Sequence, residues 1–199
     1  MLNIKYIATL ILLLTVTSCT DFLEEQANGK LTNDSFFNSK QDLESSLNAL
    51  YSVVTTSQRA NNYVGTNFLS GDDISTHPAS NKQSLREHDQ YNVTDNNAWM
   101  VSMWEQRYKV IKAANFIINN AEKTQNVAQS EVDAALGQAY FWRAFSYFYL
   151  VTTWGAVPKM MNDTIDYDTP LSSVEKIYEQ IISDMTYAED MCPAKYEKA

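Results

Sequence analysis

Asp72 and Asp73 stand side by side after Gly71, in a stretch of the chain with no helical or strand period. A carboxylate pair is the minimum equipment for glycoside hydrolysis, but that reaction holds its two acids about 5 to 9.5 Å apart across a sugar. The side chains of neighbouring residues usually diverge, and a Gly-Asp-Asp run has a simpler use in capping a turn or a helix. The pair therefore argues against an enzyme. Metal chemistry is no better supported: His77 and His88 have no cysteine at ligand spacing, no zinc pattern exists, and each reads as a lone surface imidazole. No cofactor is implied.

The stretch TDNNAWM at 94–100 points to a different chemistry. A saccharide offers an apolar C–H face, which an aromatic ring covers, and a fringe of hydroxyls, which amides and carboxylates satisfy. Asn96, Asn97 and Trp99 supply both kinds of group next to one another. The same residues also have a structural use, since asparagine is a strong helix cap and Trp99 can pack against a neighbouring helix. The sequence leaves both roles open.

Two cysteines remain. Lys5, the apolar run from Ile7 to Leu14 and the small or β-branched Val16, Thr17 and Ser18 have the order of an export signal. The run is too short for a bilayer, which takes about 20 apolar residues. Val16-Thr17-Ser18-Cys19 resembles a bacterial lipobox, in which the cysteine sulfur receives a diacylglycerol, residues 1–18 are cut away and the new amino terminus is acylated. With Cys19 lipidated, Cys192 has no partner for an intramolecular bridge and reads as a core thiol near a helix end.

The formal charge of −9 becomes one unit more negative once Lys5 leaves with the signal. Such a chain has no basic stripe for phosphates, so nucleic acid is not a partner. It also has no basic face for anionic lipids, so membrane attachment rests on the anchor. Eight Phe, twelve Tyr and four Trp against five Gly and four Pro point toward helices.

Periodicity then places the elements. Residues 19–38 read as an extended tether, with Phe36 and Phe37 docking onto the body. Ser39 and Asp42 form a capping box ahead of a helix from Lys40 to Ser57 with Leu43, Leu47, Leu50 and Val54 on one stripe. Residues 59–97 read as a long ordered loop of functional use, carrying Tyr63, Phe68 and Tyr91. A second helix starts near Asn97 and ends around Lys123 or Thr124, with Met100, Trp104, Tyr108 and Ile111 on its ladder. A third follows a capping box at Ser130 and Asp133 and closes at Gly155, and Pro158 forbids its resumption. A fourth follows Ser172 and Glu175 and stops at Pro193. The fold class is all-α. Arg143, on an otherwise apolar face, reads as a paired core ion with Asp72 or Glu105 as partner. Large residues at Trp104 and Tyr108 against small ones at Ala135, Ala139 and Ala144 predict TPR-like helical pairs with long irregular loops.

The order of these features is similar to that of a known family. The lipobox cysteine, FLEEQANGKLTNDSFFNSKQDLESSLNALY at 22–51, GDD at 71–73, the W-x3-Y-x2-I-x2-AN pattern of Trp104, Tyr108, Ile111, Ala114 and Asn115, and RAFSYFYLVTTWGAVP at 143–158 together resemble the SusD/RagB family of Bacteroidetes outer-membrane lipoproteins. The resemblance covers essentially all 199 residues but only the N-terminal part of the family's usual length, so residues 39–199 are expected to form an incomplete SusD-like helical domain. It implies a non-catalytic, lipid-anchored subunit at the cell surface that binds glycan, or in some groups other nutrients such as peptides. It also implies delivery of that nutrient to a SusC-like TonB-dependent transporter, and it adds weight to Asn96, Asn97 and Trp99 as ligand contacts.

Overall fold

The computed structural model describes residues 37–58, 69 and 71–195. The signal, Cys19 and the tether as far as Phe36 lie outside the described residues, as do Tyr63 and Phe68. Among the described residues five α-helices and one two-stranded antiparallel ribbon carry the fold, in keeping with the all-α expectation.

Helix α1, Lys40–Ser57, starts where the sequence places it. The Ser39 Oγ accepts the Asp42 backbone N–H at 3.3 Å. In return the Asp42 carboxylate accepts the Ser39 hydroxyl at 2.7 Å and the Asn38 N–H at 3.2 Å, and the serine contact holds that carboxyl below its usual range. Phe37 docks as expected: it is buried, with its ring centroid 5.2 Å from that of Phe116.

Helix α2, Gln83–Asp89, lies within the stretch expected to be a loop, and a 3-10 turn at Ser80–Lys82 leads into it. Seven residues make barely two turns, too few for a helical period to show in the sequence. This helix also corrects the reading of His88 as a surface group. Only 6 % of it is exposed, its Nε2 finds no hydrogen-bond partner among the described residues, and burial pushes its pKa down.

Helix α3 spans Ala98–Asn120 and runs on as a 3-10 turn, Ala121–Lys123. Helix α4, Gln129–Trp154, has its cap two residues before the expected one: Ala128 is the N-cap and no side chain caps the helix. Ser130 falls inside the first turn, and Asp133 accepts from Gln129 Nε2 at 2.9 Å instead. The helix ends at Gly155, whose φ of 74° suits a residue without a Cβ. Strands β1, Val157–Pro158, and β2, Leu171–Ser172, pair antiparallel, with Val157 opposite Ser172. Ser172 is thus used by the ribbon, and Ser173 caps helix α5, Val174–Met191, by accepting the Lys176 N–H at 3.4 Å.

Helix α4 is the centre of the core. Its first half, through Val132, Ala135, Leu136 and Ala139, packs on Leu43 and Leu50 of α1 and on Val110 and Ile117 of α3. Its second half, through Ala144, Tyr147, Leu150 and Val151, packs on Tyr108 and Ile111 of α3 and on Ile177 and Ile181 of α5. Each fully buried branched side chain contributes about 1.5–3 kcal/mol. The fully buried alanines 114, 139 and 144 let the helix axes approach one another. Gly137 allows a close approach as well, since an added Cβ would meet Cys192 Sγ at 2.8 Å and the Cys192 backbone nitrogen at 2.9 Å. Cys192 itself is partly buried at the end of α5.

Candidate functional site

Between the two halves of the core lies a buried ion pair. Arg143 donates through Nε and Nη2 to both carboxylate oxygens of Asp184, at 2.8 and 2.7 Å, and through Nη1 to Asn115 Oδ1 at 2.8 Å. Gln180 Nε2 adds a bond to Asp184 Oδ1 at 2.9 Å. Arg143 is the paired core ion that the sequence suggests, but its partner is neither Asp72, which is exposed, nor Glu105, which faces Lys109 at 3.9 Å. The period of α5 carries residue 184 inward between Ile181 and Ala188. A carboxylate there is tolerable because the guanidinium fork and the glutamine amide satisfy both oxygens.

The network fixes more than a charge. With Asn115 Oδ1 occupied by the guanidinium, its Nδ2 is turned the other way and donates to Met160 O at 3.0 Å and to Asn162 O at 2.8 Å. Tyr147 Oη donates to Met160 O at 2.9 Å and accepts the Met160 N–H at 2.7 Å. Tyr108 Oη donates to Pro158 O at 2.9 Å, and Asn119 Nδ2 to Met161 O at 3.2 Å. Burial pushes the Tyr108 and Tyr147 phenols well up, so both stay neutral donors. Beyond Pro158, the last residue of β1, residues 159–162 are irregular backbone, and these side chains of α3 and α4 satisfy the groups that a sheet or helix would otherwise pair.

That fastened segment forms one wall of an open groove of about 330 Å³, in which Met160, Ile165 and Tyr167 face Trp104, Tyr108 and Lys109 of α3. A second groove, of about 420 Å³, opens further toward the N-terminus of α3, between Thr94, Asp95, Met100, Val101 and Trp154. Trp104 lines both. Its ring centroid is 5.0 Å from that of Tyr108 and 5.2 Å, edge to face, from that of Trp154. A half-buried indole is thereby held rigidly by two aromatic neighbours with part of its surface left open.

The residues singled out in the sequence take different places. Asn97 is buried, and its amide is fully engaged: Oδ1 accepts from Trp99 N at 3.0 Å and Met100 N at 3.3 Å, while Nδ2 donates to Ser84 O at 2.9 Å and Glu87 Oε2 at 2.8 Å. It caps α3 and ties α2 to it, which is the structural alternative the sequence left open. The same bond to Asn97 leads the effects that hold the Glu87 carboxyl below its usual range. Asn96 is exposed and Trp99 half-buried. Neither lines either of these two grooves, although Thr94, Asp95 and Met100 around them line the second one. Trp104 and Trp154 went unremarked as site residues because a buried and a half-buried tryptophan fall on the same helical stripe.

Residues 21–199 match a family model described as SusD-like, starch-binding and associating with the outer membrane. The chain is 35% identical over 197 residues to SusD-like protein P2 of Formosa agariphila, covering 95% of this chain and 38% of that protein. It is 27% identical over 194 residues to a SusD-like protein of Bacteroides ovatus, covering 93% and 34% respectively. The chain therefore spans little more than a third of the length of these curated relatives. Among solved structures, a SusD homolog from Bacteroides thetaiotaomicron is similar at a TM-score of 0.67 and 22% identity, over 81% of this chain and 32% of that one. A protein crystallised with xylogluco-oligosaccharide is similar at a TM-score of 0.64 and 25% identity, over 78% and 31%. With a family model matched from residue 21 to residue 199, the chain belongs to the SusD-like family.

Proposed function

We propose that this chain is the helical part of a cell-surface nutrient-binding lipoprotein that holds glycan and passes it to a SusC-like TonB-dependent transporter in the outer membrane. Lipid on Cys19 attaches it to the membrane, and no catalytic step is involved. The observation that carries the glycan reading is the open face of Trp104 between two grooves with hydroxyl and carboxylate groups, Thr94 and Asp95, on one side and Glu105 and Lys109 on the other. An indole face covers the C–H surface of a sugar ring and the polar rim takes its hydroxyls. Open grooves of this kind bind weakly one at a time, and capture relies on repeated contacts along a polymer and on the transporter held alongside. Calorimetric titration of the purified chain with starch- and xyloglucan-derived oligosaccharides tests the reading. Heat with at least one glycan, reduced in Trp104→Phe, supports it, and absence of heat with all of them refutes it.

A second reading is favoured by the exposed Phe141 and Phe148 of α4 and Ile182 and Tyr187 of α5. In it the chain is an interaction scaffold whose only ligand is the transporter. Such a protein would co-purify with the transporter while giving no heat with any sugar.

A further inference from the structure

Met100, Trp104 and Tyr108 follow one another at intervals of four along α3, and Val101, Glu105 and Lys109 do the same one position on. Together they form a single stripe on one side of the helix. Its first part lines the groove closed by Trp154, its last part lines the groove closed by Tyr167, and Trp104 belongs to both. At 1.5 Å per residue the stripe from Met100 to Lys109 is about 13.5 Å long, more than one sugar ring fills.

At the far end stands Tyr167, 91% exposed. Its position is built. Asp168 N–H donates to Asp166 Oδ1 at 3.0 Å and Thr169 N–H to Asp166 O at 3.3 Å, so a closed turn carries the ring. The start of the same loop is fastened at Met160 by Asn115 and Tyr147. An aromatic ring held in water forgoes about 25 cal/mol for each Å² of apolar surface, which a flat apolar ligand face recovers. Glu105 and Lys109, both more than half exposed, offer an acceptor and a donor on the α3 side of that groove.

We propose that the two grooves form one track for an extended saccharide of at least two or three rings, with Trp104 as the shared wall and Tyr167 as the outer platform that separates long chains from short ones. This rests on the glycan-binding reading above and deepens it, because it assigns a length preference and a residue that sets it. The occupant is a saccharide chain, since a mostly apolar channel with an aromatic face at each step and polar groups at its edge matches alternating ring faces and hydroxyls.

The test is calorimetric titration of the full chain with maltose against maltoheptaose, and with cellobiose against a xyloglucan heptasaccharide, for the unaltered protein, Tyr167→Ala and Tyr167→Phe. Tyr167 is exposed, so the melting temperature of Tyr167→Ala should match that of the parent. The expected result is tighter binding of the longer ligand, weakened roughly three- to tenfold in Tyr167→Ala and restored in Tyr167→Phe, as one aromatic contact implies. The short ligand should change less than about twofold. Sugar binding by the parent with no effect of Tyr167→Ala, or with equal loss for short and long ligands, overturns the track and leaves the glycan reading standing. No heat with any of the four sugars overturns the glycan reading and the track together.

Discussion

Arg143 and Asp184, 41 residues apart in sequence, meet through two parallel hydrogen bonds with only 3% and 1% of their side chains exposed. The pair joins α4 to α5, and through Asn115 it determines which way an amide points and so where residues 158–162 are held. A core ion pair is thereby linked to the wall of a surface groove.

Removing one partner of such a pair leaves an uncompensated buried charge, so Asp184→Ala should lose about 3–5 kcal/mol in urea unfolding. The double variant Arg143→Met with Asp184→Leu should recover most of that stability, because apolar replacement of a buried pair is often neutral. It should not recover the loop. Asn115 then lacks the acceptor contact that orients it, and amide hydrogen exchange at Met160 should quicken in the double variant even at full stability.

Gly137→Ala sets two effects against each other. Alanine in a helix interior is favoured over glycine by about 1 kcal/mol. Here the new methyl would come within 2.8 Å of Cys192 Sγ, 2.9 Å of its backbone nitrogen and 3.1 Å of Met191 Cβ. Overpacking of that kind costs about 1–3 kcal/mol, so the variant should be destabilised in chemical unfolding. Adding Cys192→Ala should restore only part of the loss, since the backbone nitrogen remains in place.

The junction of α2 with α3 should loosen on acidification, in two stages. Burial lowers the His88 pKa in the folded chain, so below its ordinary value of 6.5 the unfolded chain binds a proton that the folded chain does not. The stability from neutral His88 is complete above 6.5 and is lost as pH falls from there toward the depressed folded value. Glu87, held down mainly by Asn97, and Asp89, held down mainly by the Thr76 N–H, contribute above their ordinary values of 4.5 and 3.8 and lose that contribution as pH falls through their lowered folded values. Urea midpoints measured against pH should fall in both windows, and His88→Leu should remove the first fall and keep the second.

The sequence carried the long elements and missed what depends on distant contacts. Ser39 with Asp42, and the Leu43, Leu50 and Val54 stripe, place α1 to the residue, because the information is local and repeated over five turns. The start of α5 moves by one residue because Ser172 and Ser173 are adjacent candidates for its cap, and α4 starts two residues early behind Ala128, which caps it without a side chain and so leaves no mark in the sequence. Helix α2 was invisible because its stability comes from Asn97 and Glu87 in the fold and not from its own period. Arg143 was legible as a core ion, but nothing in its spacing points to residue 184. Asn97 was legible as a polar group at a helix start, which describes a cap and a ligand contact equally well, and only the four bonds it makes distinguish them.

Lipid on Cys19 predicts a definite mass. Mass spectrometry of the product from its native membrane should show an N-terminal Cys19 carrying a diacylglycerol and an N-acyl chain, with residues 1–18 gone. An unmodified Cys19, or a surviving leader, contradicts the anchor.

The claim on which the functional account turns is that the α3 face around Trp104 holds sugar, and a calorimetric comparison of the parent chain with Val101→Asp addresses it most directly. Val101 is 44% exposed and lines the groove closed by Trp154, so the change leaves the core intact while placing a charge where a sugar face would lie. The account predicts heat with a starch- or xyloglucan-derived oligosaccharide and at least a tenfold loss of affinity in the variant, about 1.4 kcal/mol. Equal affinity in the two proteins, or no heat from the parent with any glycan, would contradict it.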